Sequence, residues 1–484
     1  MAEYDLKKIR PLGKLEEVAA VAHHIDFFTN TGLSVHYRSS QPAPNLPEVI
    51  YHAVADVVRA HPILFAVPVG AGSTQEPYWG RLPSIDIKKA VTFVERSTPS
   101  GTDSEGRDKE LDALLETQHN TNFKSGYGTL PVWRMVIVRE PGVNDEFTAC
   151  LIAHHSMSDG TGLQVFHNSF QSALSDASSS SSSSPRLSEA AEHVVFSNAD
   201  DPIAPSLEQV HPLPIPAEPP AADATGIKDW TGTPVEVPCK TRYVSLSLAP
   251  HLAQSFAQDC KKHKATPATA LPSLIARLLF HHLPSPTPEA LLCNIPVSLR
   301  PDLPPNVVEG VMGNFIDAFK VKLLRADLDK IQDSAAQSVN SWDIWTHARK
   351  IQQGTRRYYA NVSPSGQPYT NIAFFKLIPD LNAALTATLG NARGESFEVS
   401  NLGTFSQPKN LQAGSGGPVW QAGKVTISRC AYAAGGPLVV CVLGSDENLG
   451  FGFTWQEGAI PDDVVDQVVN GVRMYLDPSP PAVS

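Results

Sequence analysis

Hydrophobic positions along the chain recur with two periods. In "LPEVIYHAVADVVRAHPIL", Val49, Ala53, Val57 and Ala60 fall on one face at helical spacing, and Pro62 closes the helix. A strand pattern follows from Leu64 to Val69. "PVWRMVIV" and "FTACLIAHH" are two more apolar runs of strand length, separated by the turn-like "EPGVNDE", and they read as a hairpin. Beyond them Leu163, Phe166, Phe170 and Leu174 stand 3, 4 and 4 residues apart, the stripe of an amphipathic helix.

The pattern then stops. Ser178 to Ser184 is an unbroken serine run, and prolines crowd the stretch from Pro202 to Pro238, as in "HPLPIPAEPPAA". Such a segment reads as a linker, flexible first and then stiff and extended. The expected organisation is an N-terminal lobe over 1–177, an inter-lobe linker over 178–238 and a C-terminal lobe over 239–484. The second lobe resumes with the alternating "RYVSLSL", and helical segments follow around Leu252–Lys262 and Ala268–Phe280. "ALLCNIPVSLRP", "SFEVSNLGTF", "KVTISRCAYA", "PLVVCVLGS" and "LGFGFTW" are strand-like, with glycine punctuation. In the closing "PDDVVDQVVNGVRMYL", Pro461 suits a first helical turn, Asp462 and Asp463 suit its positive end, and Val464, Val468 and Val472 form the apolar face. Strands and helices alternate in both halves, so the class is α/β.

The chain has 484 residues, more than one hydrophobic core usually serves, which agrees with two lobes. Its formal net charge of −11, without a block of five like charges, repels phosphate backbones and argues against nucleic acid as a partner. None of the six cysteines forms a CxxC pair, so no zinc or redox motif is read. The N-terminal "MAEYDLKKIRPLGK" lacks the apolar segment of a signal peptide. The most apolar stretch, "TALPSLIARLLF", is interrupted by Pro272 and Arg277 and falls short of the roughly 20 residues a membrane span needs. A soluble, cytoplasmic monomer without a membrane span is expected.

The chemistry concentrates in "LIAHHSMSDGTGLQVFH", Leu151 to His167. A strand that ends in His155, just before a glycine turn and a helix, puts an imidazole at a sheet edge. Neutral imidazole is well matched to taking a proton near pH 7. Asp159, four residues on, can accept the second imidazole proton, cap the helix or pair with an arginine. Gly160 and Gly162 let backbone or ligand approach closely. Taken alone, a His-x-x-x-Asp is more often a turn with a helix cap, and "SDGTG" is a good one. The doubled histidine and the strand–turn–helix setting reverse that balance.

"HHSMSDG" resembles the HHxxxDG signature of the chloramphenicol acetyltransferase-like superfamily. "RPLGKLEEVAAVAHHIDFF", "LPVWRMVIV", "NIPVSLRPDLP" with "MGNF", "VSNLGTF" and "LGFGFTWQEGAI" follow in the order seen in fungal alcohol acetyltransferase-like proteins. The resemblance covers nearly the whole chain apart from the Ser/Pro stretch. It implies two chloramphenicol acetyltransferase-like lobes, each a mixed sheet flanked by helices, with the active-site channel between them. It implies an acyl-CoA-dependent O-acyltransferase, acetyl-transferring in the sense of the family name, with His155 as general base. Asp159 would hold the loop by pairing with Arg300 of "VSLRP", Gly160 would keep the channel beside the histidine open, and His154 would be structural. Acetyl-CoA or another acyl-CoA would be a co-substrate, with no tightly bound cofactor and no metal, and a small-molecule alcohol would accept the acyl group. The plant "DFGWG" element is missing; "SNLGTF" stands in a comparable place, and Ser400 or Asn401 could donate to the oxyanion, although a strand-end turn explains both equally well.

The remaining motifs carry less. "GAGST" at Gly70 is followed by Gln75, Glu76 and Pro77 rather than a helix, so it fails as a dinucleotide loop. No GxSxG is present for a serine hydrolase. "KKHK", Lys261 to Lys264, reads as solvated charge at a helix C-terminus, with contact to CoA phosphates the sharper alternative. A carrier-protein-dependent or N-acylating condensation enzyme, and a non-catalytic binding protein, are the competing readings.

Overall fold

The computed structural model describes residues 6–28, 30–43, 45–73, 76–179, 193–217, 225–328, 339, 342–407 and 420–478. The strands that build its two main sheets are β1 (Thr31–Ser39), β2 (Val91–Glu95), β3 (Trp133–Arg139), β4 (Glu146–Ala153), β5 (Thr241–Leu248), β6 (Ala290–Ser298), β7 (Ile316–Leu324), β8 (Phe397–Thr404), β9 (Trp420–Arg429), β10 (Leu438–Gly444) and β11 (Leu449–Gln456). The helices that matter below are α1 (Lys14–His24), α2 (Leu46–Ala60), α3 (Gly160–Ser179), α4 (Pro267–His282), α5 (Trp345–Ala360) and α6 (Asp462–Leu476).

The first sheet runs β9-β1-β4-β3-β2, with only the β2–β3 pair parallel. Helices α2 and α3 pack together over it. The Leu163, Phe166, Phe170 and Leu174 side chains of α3 are fully buried there, as their spacing predicts. In the second sheet β6, β8, β10, β11 and β5 follow in that order, β7 lies antiparallel on the other edge of β6, and Asp229–Trp230 adds a short parallel strand to β6. Val464, Val468 and Val472 of α6 are buried against this half. The fold is mixed α/β with two lobes.

Two features depart from the expected boundaries. Strand β9 lies late in the chain yet completes the first sheet, pairing antiparallel with β1 from Trp420↔Ser39 to Arg429↔Thr31. A period-2 pattern tells a strand from a helix but not which edge it joins. The Pro-rich stretch is not merely a tether either. Val194–Phe196 pairs with Ser84–Asp86, and Leu207, Leu213 and Val235 are buried. Helix α3 runs past the expected boundary to Ser179, where Trp420 Nε1 donates to Ser178 Oγ at 2.8 Å; Ser180 to Ser184 lie outside the described residues.

A second seam joins the lobes at the free edge of β5. Asn120 Oδ1, Glu116 Oε2 and Asp112 Oδ2 accept the backbone N–H groups of Thr241, Tyr243 and Ser245 at 2.8, 3.0 and 3.1 Å. Four residues of helix advance about 6 Å and two residues of strand about 6.8 Å, so side chains one turn apart match the alternate N–H groups of a strand. The edge is thereby covered without a further strand. Burial pushes the Asp112 carboxyl up to about 7, because Ser245 supplies the one hydrogen-bonding residue it has and its Oδ1 is unpartnered among the described residues.

Candidate active site

The end of β4 delivers two histidines to different surroundings. The His154 amide donates to Val132 O at 2.9 Å, which continues the sheet by one residue. Its ring turns inward: Nδ1 accepts from the Ser156 amide at 3.1 Å and lies 2.7 Å from Ser156 Oγ, and the ring sits 4.5 Å from that of His23. Burial, and then His155, push the His154 imidazole down to about 3, so it is a neutral fastener of the turn. His155 instead lines a cavity of about 990 Å³ and meets the Phe28 ring at 5.5 Å. Its Nδ1 is shielded and has no well-formed hydrogen bond among the described residues, so Nε2 is the nitrogen open to the cavity. Burial, followed by the Arg429 charge, lowers the His155 pKa from its ordinary 6.5; its own main chain, Asp159 and Glu398 pull the other way. Neutral imidazole is the form that can take a proton.

Asp159 is 1% exposed and has every oxygen occupied. Oδ1 accepts from the Gly162 amide at 2.7 Å and Arg300 Nη2 at 3.0 Å, while Oδ2 accepts from Arg300 Nε at 3.2 Å and the Phe315 amide at 3.1 Å. Arg300 also donates to the carbonyls of Val308, Val311 and Gly313 at 2.7, 3.0 and 3.2 Å and lies over the Phe315 ring. The pair thus ties the turn before α3 to the loop between β6 and β7. The Asp159 amide donates to Gly313 O at 3.0 Å, and Asn314 Nδ2 donates to the His155 carbonyl at 2.8 Å, adding two rungs to the same seam. Asp159 makes no hydrogen bond to the His155 ring.

Gly160 faces β8. A Cβ there would fall 1.9 Å from Leu402 Cδ2, so glycine lets the start of α3 close on β8 at the cavity wall. Ser400 and Asn401 both line the cavity. Asn401 Oδ1 accepts the Gly403 amide at 2.9 Å, while its Nδ2 has no partner among the described residues.

Arg429, Glu398 and Asn314 line the cavity and were not singled out by sequence reasoning. Arg429 ends β9 opposite Thr31, which itself faces Ala153, so sheet register brings the guanidinium beside the strand that carries His155. Arg429 Nη1 donates to Glu398 Oε1 at 2.6 Å, Glu398 Oε2 accepts from Asn294 Nδ2 at 3.0 Å, and the guanidinium lies over the Phe28 ring at 5.2 Å. The signal available was a charged residue inside the apolar "KVTISRC" run. Asn314 lies in "MGNF", which entered the sequence reading without a role for its side chain.

No family model matches the chain. A curated relative from Aspergillus fumigatus, named probable alcohol acetyltransferase crmB, is 42% identical over 473 residues, covering 96% of this chain and 98% of that protein. The chain belongs to the alcohol acetyltransferase family. A second member, named probable alcohol acetyltransferase FCK4 from Fusarium pseudograminearum, is 24% identical over 459 residues, 88% of this chain and 84% of its own. Among solved structures, the trichothecene 15-O-acetyltransferase TRI3 from Fusarium sporotrichioides superposes with a TM-score of 0.68 at 11% identity, covering 96% of this chain and 94% of that one. The first condensation domain of the calcium-dependent antibiotic synthetase gives 0.57 at 13%, covering 99% and 98%. At such identities these two structures show the shared fold. Family membership makes the alcohol acetyltransferase-like chain an acyltransferase of the HHxxxDG superfamily.

Proposed function

We propose that the protein transfers an acyl group, acetyl in the first instance, from acyl-CoA to the hydroxyl of a small-molecule alcohol, with His155 as general base. His155 Nε2 takes the hydroxyl proton as the oxygen attacks the thioester carbonyl. The tetrahedral oxyanion collapses, the C–S bond breaks, and the thiolate recovers the proton from the imidazolium to leave an ester and free CoA. The observation that carries this reading is a neutral imidazole with one nitrogen open to a cavity built from both lobes. Asn401 Nδ2 and the Ser400 hydroxyl are the nearby donors assigned to the oxyanion, a task that needs donors fixed in place beforehand. Asp159, Arg300 and Asn314 act on the chemistry only by holding the His155 turn.

The test is thioester turnover: acetyl-CoA with a panel of alcohols, reading free thiol and ester. His155→Ala should lose at least ~10²-fold in rate, as general-base loss typically does, with the melting temperature unchanged. His154→Ala should lower the melting temperature more than the rate per folded molecule. Full activity in His155→Ala would sink the mechanism.

A further inference from the structure

Three strands each bring one strongly polar side chain to the wall of the cavity that His155 lines: Asn294 from β6, Glu398 from β8 and Arg429 from β9. Register sets this up. Asn294 and Glu398 are partners on adjacent parallel strands and so share a face, while Arg429 reaches them from the first sheet. The Arg429 and Glu398 side chains are largely buried, 14% and 8% exposed, yet their hydrogen bonding is unfinished. Arg429 Nη1 donates to Glu398 Oε1 at 2.6 Å and Nε to the Cys430 carbonyl at 3.4 Å, while Nη2 has no partner among the described residues. Each Glu398 oxygen accepts once, Oε1 from Arg429 and Oε2 from Asn294 Nδ2 at 3.0 Å, so each has room for a second donor. Glu395, the neighbouring carboxylate at this wall, is already taken by the Lys320 ammonium at 3.2 Å and the Gly436 amide at 3.1 Å. The Phe28 ring lies 5.5 Å from the His155 ring and 5.2 Å from the Arg429 guanidinium, so the base and the pair flank one side chain.

We propose that Arg429 and Glu398 are a second anchor for the acceptor, and that the alcohol acylated here carries a second hydroxyl and is therefore a diol. The assignment rests on acyl transfer to an alcohol, as read above, and names the class of alcohol. A guanidinium can only donate and a carboxylate can only accept. A hydroxyl does both: its oxygen accepts from Arg429 Nη2 while its proton goes to Glu398 Oε1. A carbonyl or ether oxygen serves the arginine alone. An ammonium serves the carboxylate and is repelled by the arginine; a carboxylate serves the arginine and is repelled by Glu398. The two opposite charges cancel at this spot, which suits a neutral ligand. With the second hydroxyl held there, the first lies toward His155, and the single ring between base and pair limits the spacer to a few carbons. A purely fastening role would not leave a donor and an acceptor open side by side; the saturated Asp159–Arg300 pair shows what such a role looks like. A site built to hydrogen-bond a substrate hydroxyl discriminates strongly against the analogue that lacks it, because its own polar groups are then left unpaired.

The experiment measures kcat/KM with acetyl-CoA for hexanol, for hexanediols with adjacent and more widely spaced hydroxyls, for their monomethyl ethers, and for an amino alcohol and a hydroxy acid of the same chain length. At least one diol should exceed hexanol roughly tenfold or more, the size of one or two hydrogen bonds to charged groups, and its ether should fall back toward hexanol. Arg429→Met/Glu398→Leu removes both charges together and leaves neither buried alone, so it should fold. In that variant the diol-to-hexanol ratio should collapse toward unity, whatever happens to the rate common to both substrates. A merely structural pair would slow both alike and leave the ratio intact. Arg429→Met alone keeps the carboxylate half of the anchor; it should lower the ratio less, and it serves if the double variant does not fold. The assignment is overturned if hexanol matches every diol, if the ratio survives in the double variant, or if the ether, amino alcohol or hydroxy acid outdoes the diol. If no alcohol is acylated, calorimetric titration of the diols and hexanol into the wild type and the double variant separates the two failures. A diol preference that the variant loses keeps the anchor and refutes the reaction; no preference overturns the anchor.

Discussion

Two buried arginine–carboxylate pairs flank His155, and they are finished differently. Asp159 and Arg300 saturate one another: both carboxylate oxygens take two hydrogen bonds, and the guanidinium spends its remaining donors on three carbonyls. Arg429 and Glu398 are joined by a single contact, and Arg429 Nη2 has no partner among the described residues although the group lines the cavity. A pair with nothing left to give can only fasten; a pair with an open edge keeps its charge where it can act on a neighbour. Both pairs unite the lobes, yet only the second biases the titration of His155 to lower pH through its cation.

That contrast is sharpest in stability. Arg300→Ala strands a buried carboxylate, and chemical denaturation should show a loss of about 3–5 kcal/mol, the usual cost of breaking such a pair. Arg429→Met, whose partner keeps Asn294 and lies at the cavity wall, should cost less; equal losses would erase the distinction. A smaller effect is expected next door. Gly160→Ala drives a methyl into Leu402, which should cost on the order of 1–3 kcal/mol in stability or barrier, and Leu402→Ala should recover most of it. The finest probe is the pH dependence of kcat/KM. On the proposed mechanism His155 acts when neutral, and its pKa is lowered, so activity should persist below pH 6.5 before its acid limb falls away. Arg429→Met removes a positive neighbour and should move that limb to higher pH. Glu398→Gln leaves the arginine unopposed and should move it to lower pH. Shifts of the same sign in both variants would refute the electrostatic account.

Much of this site was readable in the chain. The hairpin, the HHxxxDG turn and the stripe of α3 are local patterns, and local patterns fix local structure. Arg300 was reachable through family resemblance, while no spacing rule links it to Asp159, 141 residues away. Arg429 was not reachable, because its place depends on which sheet β9 joins. In α2 the apolar residues occupy more than one stripe, and the buried side settles on Ile50, Ala53, Val54, Val57 and Val58, leaving Ala60 exposed. The Pro-rich stretch misled for a related reason: proline forbids a ladder donor but not burial, so short runs such as Val194–Phe196 still find an edge.

The strand passed from the later part of the chain into the first sheet bears on how this architecture can be cut and recombined. Any fragment that ends before residue 420 exposes the outer edge of β1, a nine-residue strand buried over most of its length, and should aggregate rather than fold as a module. Chimeras that trade whole halves between relatives would bring a foreign β9 to that edge, and Arg429 with it. Recombination would therefore be better placed around the inserted stretch 420–429 than at the proline-rich crossing, so that a transplanted first lobe travels with the strand that completes it.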